Sequence, residues 1–237
     1  MLSFIVPAYN EELELPGTLR AIHESAKNRE HEIVVVDDAS NDATAEIARD
    51  AGAKVVSVNR RQIAAARNAG GRAAGDDILF FVDADTHINE KHVTGAITAL
   101  EEGCSGGGAR VAMSGEVPLW ARISVGLFCT LYFGLNFGAG AFLFTTRKNY
   151  DAVGGFDETL FIGEEVYFSL ALRKLGRFKI LREPIVTSGR KLRMYSAHQI
   201  LGNSLRVILR GPSAAHSREG LHIWYDGKRE QRSTSSQ

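Results

Sequence analysis

The sequence predicts an α/β domain with a mostly parallel central sheet and helices on both faces. Three observations carry this expectation. Short apolar, β-branched runs alternate with helical patterns through the first 90 residues. Polar clusters follow three of those runs, where a parallel sheet would gather them along one edge. At 237 residues, 44% of them hydrophobic, the chain is long enough to bury a full core.

Leu2 to Val6 is an apolar run ended by Pro7, and Pro16 suits a first helical turn. Glu32 to Val36 is a β-branched strand running into Asp37 and Asp38. Asp42 can cap a helix through Ala51, which Gly52 stops. Lys54 to Val58 is a third strand and Asp77 to Val82 a fourth. Between them, Gln62 to Ala74 reads as a helix despite Gly70 and Gly71. A helix over Glu90 to Glu102 leads into a Gly-rich turn, Gly103 to Gly108, and a strand from Ala109 to Met113. Trp120 to Phe137 reads as an apolar helix and Gly140 to Thr145 as a short strand. A loop at Gly154 to Glu158 precedes a helix from Glu164 to Leu175, stopped by Gly176, and a strand at Phe178 to Leu181. Tyr195 to Arg210 has the pattern of a basic amphipathic helix. One domain over 1–215 is expected, with a tail over 216–237 that is disordered toward its end.

Lys plus Arg (28) balances Asp plus Glu (28), so no net charge points to nucleic acid, and any attraction for anions is local. Cys104 and Cys129 lack CxxC or Cys/His spacing and read as reduced thiols of a cytoplasmic protein. The opening MLSFIVPAYNEE carries no secretory pattern. Ile123 to Phe144 is uncharged over 22 residues, the length of a membrane span. Its glycines, Asn136 and a change of pattern midway favour a buried core instead. A helix lying on the inner face of the membrane, and so a peripheral membrane contact, stays open.

The polar clusters are Pro7-Ala8-Tyr9-Asn10, Asp37-Asp38-Ala39-Ser40 and Asp83-Ala84-Asp85. Each alone is ordinary turn chemistry; their shared position after parallel strands is harder to explain that way. On an extended chain, Asp83 and Asp85 point to one side. Two carboxylates there suit a hard cation, Mg²⁺ or Mn²⁺, shared with substrate phosphates. The plainer alternative has Asp85 capping the next helix and Asp83 solvated. Phosphate-loop patterns are absent, so a bound anion would be held by metal and basic side chains. Arg67 is the candidate, against the alternative of a solvated helix face. Glu164 and Glu165 open a helix, where each gains about 0.3–1 kcal/mol from the dipole. A general base near an acceptor hydroxyl is the functional alternative; spacing leaves both open.

Six segments occur in order: Phe4-Ile5-Val6-Pro7-Ala8-Tyr9-Asn10-Glu11-Glu12, Val34 to Asp42, Ala66-Arg67-Asn68-Ala69-Gly70, Val82-Asp83-Ala84-Asp85, Val153 to Glu158 and Gly163-Glu164-Glu165-Val166. Together, over roughly residues 2 to 182, they resemble the family-two glycosyltransferases with the Rossmann-like GT-A fold. The resemblance implies that Pro7, Tyr9 and Glu11 line a nucleotide pocket, that Asp38 contacts the base and that Arg67 lies near the nucleotide. Asp83 would face the nucleotide sugar or metal, and Asp85 would ligate the metal at the diphosphate. Glu165 falls at the catalytic-base position beside Glu164, where Asp is commoner. The strand Gly138 to Phe144 and the loop at Gly155-Phe156-Asp157 would border donor sugar and acceptor. No histidine stands in Val186 to Arg190, where many relatives complete the metal site; Arg190, Lys191 and Arg193 would steady the diphosphate instead. The implied reaction moves a sugar, with inversion, from a nucleoside-diphosphate sugar to a saccharide, lipid-linked or small-molecule hydroxyl. The rival readings are a catalytically silent nucleotide-sugar binding protein, a phospho-acceptor signalling domain and a nucleotidyltransferase.

Overall fold

The computed structural model describes residues 1–114 and 137–189, with residues 194, 199 and 215–218. In chain order the elements are β1 (Leu2–Ala8), α1 (Leu15–Ala26), β2 (His31–Asp38), α2 (Thr44–Asp50), β3 (Lys54–Val58), α3 (Ile63–Ala73) and β4 (Ile78–Val82). Then follow β5 (Thr86–His87), α4 (Glu90–Glu101), β6 (Cys104–Ser114), β7 (Phe142–Thr146), α5 (Arg147–Val153), α6 (Glu164–Leu175) and β8 (Arg177–Ser188). The strands form one sheet in the order β3-β2-β1-β4-β7-β6-β8-β5. The first four in that order are parallel, β7 runs antiparallel between β4 and β6, and β8 is parallel to β6.

The apolar runs form central strands because both faces of the sheet are covered. Side chains alternate across the pleat. Phe4, Val6, Val35, Phe80, Val82, Phe142 and Phe144 enter the core on one face with Leu15, Leu19 and Ile22 of α1 and Val93 of α4. Ile5, Val34, Val36, Leu79, Phe81 and Leu143 enter the opposite core with Ala64 and Ala66 of α3 and Phe168 and Leu172 of α6. Phe4 stacks on Phe80 across neighbouring strands at 4.8 Å between centroids. Each such fully buried side chain is worth about 1.5–3 kcal/mol.

Two expectations change. Gly103 to Gly108 is not a turn: Cys104 to Gly108 belong to β6. Their glycines admit close neighbours, since a Cβ at Gly107 would lie 2.2 Å from the Lys179 carbonyl and 2.3 Å from the Phe144 ring. The last strand is longer than Phe178 to Leu181, because pairing with β6 continues past a register shift to Ser188. Two short elements, β5 and α5, had no periodic signal at their length. The expected helices at Trp120–Phe137 and Tyr195–Arg210, with Arg190, Lys191, Arg193, His198, Cys129 and the tail beyond 218, lie outside the described residues, Phe137 and Gln199 apart. Of the uncharged segment 123–144, Phe142 to Phe144 are fully buried in β7. Among the described residues no helix is long and apolar enough to cross a membrane.

Candidate active site

The carboxyl ends of β1, β2 and β4 meet along one edge, as parallel pairing requires. The first two polar clusters are laced together there. Asn10 N–H donates to Ser40 Oγ at 2.9 Å, Asn41 N–H donates to Asn10 Oδ1 at 2.9 Å, and Ser40 N–H donates to Asp37 at 3.1 Å. Glu11 is buried, and its N–H donates to Thr44 Oγ1 at 2.7 Å, fixing the start of α1 against that of α2. Pro7 and Tyr9 stay half-buried at the edge.

Asp38 is buried and its carboxylate is heavily used. Oδ1 accepts N–H groups from Arg60 (2.7 Å) and Arg61 (2.8 Å), and Oδ2 accepts that of Gln62 (2.9 Å). It thereby seats the loop that begins α3. Arg61, at φ 49°, lays its guanidinium 3.1 Å from the centroid of the Tyr9 ring. Among the described residues the non-glycine residues with positive φ are Asn10, Ala39 and Arg61, and all three follow the edge of the parallel strands. Strained backbone of this kind persists where surrounding structure over-determines it, often at ligand sites.

Asp83-Ala84-Asp85 is a turn, not an extended segment, closed by Thr86 N–H donating to the Asp83 carbonyl at 3.0 Å. The side-by-side placement expected from strand alternation therefore does not apply; turn geometry sets the two carboxylates instead. Nor does Asp85 cap the next helix, since Asn89 makes the capping box of α4 with His92. The turn is held from three sides. Thr18 Oγ1 donates to Ala84 O (2.8 Å), Asp83 N–H to Ala141 O (3.2 Å), and Ser188 N–H to Asp85 O (3.2 Å). Thr187 Oγ1 donates to the Asp85 carboxylate at 3.2 Å.

Arg67 is not on a solvated helix face. It is 1% exposed, beneath the crevice, where Nη2 donates to Asp83 (2.9 Å) and to the Gly140 carbonyl (3.0 Å). Nη1 donates to Glu164 at 2.7 Å. Gly140 has no room for a side chain, as a Cβ there would lie 2.6 Å from Arg67 Nη2. One guanidinium thus ties the turn after β4 to the first residue of α6, which is 97 positions from Arg67 itself. Glu164 is buried in this pair, while Glu165 beside it is half-buried.

Asp83, Glu164 and Glu165 all face the Arg67 guanidinium, and the Asp85 carboxylate acts on Asp83 from the other side. Burial works against the charge on Arg67, but Asp83 and Glu164 outweigh it and raise its pKa. Burial pushes Asp83 up to about 6, with Asp85 adding repulsion and Arg67 opposing it. Burial, then the Glu164 carboxylate, pushes Glu165 up to about 8. Such displacement marks carboxyls poised for proton transfer or short of a counter-cation. Asp83 and Asp85 are oxygen donors suited to a hard divalent cation. Among the described residues no three His, Cys, Asp or Glu side chains converge as a metal cage.

Of the sequence-predicted residues, Arg67, Asp83, Glu164 and Glu165 form one cluster with Asp85 beside it, and Pro7, Tyr9, Glu11 and Asp38 stand at the carboxyl ends of β1 and β2 on the same sheet edge. In the sequence, Asn68 stands out only as part of its motif. Its amide donates to Phe156 O (2.8 Å) and Glu158 (2.9 Å) and accepts from Tyr150 Oη and Phe156 N–H (each 2.9 Å), so it shapes the loop before α6. An Asn in the middle of a helical pattern, where it is a poor former, is the sequence signal for it.

A family model described as "Glycosyl transferase family 2" matches residues 3–156. The 4,4'-diaponeurosporenoate glycosyltransferase of Staphylococcus haemolyticus is 41% identical over 103 residues, 40% of this chain and 27% of that protein. The dolichol-phosphate mannosyltransferase of Pyrococcus furiosus is 30% identical over 195 residues, 78% of this chain and 52% of that protein. The chain therefore spans about a quarter to a half of the length of these relatives. Among solved structures, mannosyltransferase PcManGT from Pyrobaculum calidifontis, in complex with GDP-Man and Mn²⁺, superposes with a TM-score of 0.63. That match covers 95% of this chain and 69% of the other at 19% identity, which establishes the shared GT-A fold.

Proposed function

Because the chain belongs to glycosyl transferase family 2, we propose that it transfers a sugar from a nucleoside-diphosphate sugar to an acceptor hydroxyl, with inversion. The observation that carries this reading is the Arg67 bridge, which brings the Asp83–Asp85 turn and the Glu164–Glu165 helix start to one place. Pro7, Tyr9, Glu11 and Asp38 line the nucleotide side of the crevice. Asp83 and Asp85 would hold Mg²⁺ or Mn²⁺ with the donor diphosphate; two carboxylates that repel each other at the end of β4 suit a hard cation shared with phosphate oxygens. A bound divalent ion supplies charge neutralisation for the diphosphate leaving group.

The chain's own residues do the rest. Arg67 orients Asp83 and pairs with Glu164 beside Glu165. Glu165 takes the proton of the acceptor hydroxyl as it attacks the anomeric carbon from the face opposite the leaving group. A carboxyl pushed up to about 8 is a strong enough base for this once ionised. The loop Gly155-Phe156-Asp157 borders the acceptor. The dolichol-phosphate in the name of the relative that covers 78% of this chain supports a lipid-linked acceptor, and with it work at a membrane surface.

A thermal-shift screen of UDP, GDP and their sugars with and without Mn²⁺ tests the reading. A nucleotide at 100 times its Kd stabilises the fold by about 2.7 kcal/mol. We expect such a shift with Mn²⁺ for at least one nucleotide, and its metal-dependent part to vanish in Asp85→Ala. No shift with any of them overturns the reading. Binding without transfer across an acceptor panel leaves a silent binding protein.

A further inference from the structure

We infer that Arg218 is a positioning residue for the nucleotide-side wall of the crevice, acting through residues 215–218 as a strap across two loops. The inference rests on the proposed nucleotide pocket and adds the residue that holds its wall in shape. The strap joins the loop 59–62, between β3 and α3, to the loop 157–163 that leads into α6. Phe161 N–H donates to the Ala215 carbonyl at 2.6 Å, and His216 Nδ1 lies 3.2 Å from the Thr159 carbonyl. The Arg218 guanidinium stands 5.1 Å over the Phe161 ring and donates to the carbonyls of Arg60 (2.8 Å) and Arg61. Gln62 ties the same loops from the other side, its Nε2 donating to the carbonyls of Glu158 (2.5 Å) and Leu160 (3.0 Å).

The two Arg218 contacts fall at a telling place. The Arg60 carbonyl and the Arg61 N–H belong to one peptide unit, and the Arg61 carbonyl and the Gln62 N–H to the next. Asp38 accepts both N–H groups and Arg218 donates to both carbonyls. Both peptide units flanking the Arg61 Cα are therefore gripped at each end, by an anion on one side and a cation on the other. That grip holds Arg61 at φ 49°, a conformation a non-glycine residue keeps only under constraint. The constraint in turn aims its guanidinium onto the Tyr9 ring, 3.1 Å away. Arg218 lies far beyond the residues 3–156 matched by the family model, so the wall of the pocket is completed from a distant part of the chain.

Releasing one side of the grip lowers the fraction of molecules with a formed wall, and apparent affinity falls by that fraction. Hydrogen exchange of the Arg60, Arg61 and Gln62 amides and calorimetric titration with UDP and GDP, each with Mn²⁺, test this on Arg218→Ala in the full chain. We expect exchange at those amides about tenfold faster, nucleotide Kd raised about five- to tenfold and the melting temperature unchanged. Arg218→Lys, which keeps a cation but loses the planar guanidinium that stacks over Phe161, should recover part of both. Exchange within about twofold of wild type, or faster exchange with unchanged Kd, overturns the inference. If the wild type binds neither UDP nor GDP, the nucleotide reading fails, while the exchange rates alone still decide whether Arg218 holds the loop.

Discussion

Glu165, the proposed base, has a carboxyl whose pKa burial and Glu164 raise from an ordinary 4.5 to about 8. In the base role the ionised form is active, so kcat/KM should rise with pH and level off above about 8. The Glu165→Gln variant should lose about 10²–10⁴-fold in kcat, keep donor affinity and lose that rise. A flat wild-type profile would remove Glu165 from the mechanism. The same group affects stability with a definite sign. Between about 4.5 and about 8 the folded state keeps a proton that the unfolded chain has released, so the contribution falls as pH rises through that window. Denaturant titrations at several pH values should show the slope in wild type and a shallower one in the glutamine variant.

At the scale of elements, the decisive fit is α3 against the sheet. Gly70 is a poor helix residue by about 1 kcal/mol relative to Ala, yet a Cβ there would lie 2.3 Å from Ile5 Cγ2 and 2.8 Å from Val36 Cγ2. Gly70→Ala should therefore destabilise by about 1–3 kcal/mol despite the better propensity, read as a lower urea midpoint at unchanged slope. A stabilised variant would mean that the helix can lift off the sheet freely. The same physics explains where the elements were and were not legible. Long apolar runs such as Phe4 to Val6 and Leu79 to Val82 announce strands covered on both faces. Gly106 and Gly107, by contrast, look like a turn in a sequence but serve close approach between strands. Their meaning depends on neighbours from β7 and β8 that no local pattern contains.

Across the whole molecule, Arg67 joins α3, the end of β4, the chain before β7 and the start of α6. Removing it leaves Asp83 and the buried Glu164 without their cation. Arg67→Met should cost about 3–5 kcal/mol by denaturant unfolding, and Arg67→Lys should recover only part, because an ammonium lacks the fork that reaches both carboxylates. A loss below about 1 kcal/mol would show the bridge to be dispensable. The residues of this cluster were all visible in the sequence, as Arg67 in its motif, as Asp83 and Asp85 after a strand, and as the Glu164–Glu165 helix start. Their joint use was not. Period and turn chemistry are short-range signals, so the chain alone dictates the order of strands, the faces they bury and the edge on which polar clusters collect. Only the tertiary structure decides that a helix-borne arginine turns inward, that the aspartates sit in a turn, and that Arg218 completes the grip on Arg61. Those outcomes are set by desolvation and charge between groups tens to more than a hundred residues apart, whose energies exist only once the sheet has brought them into contact.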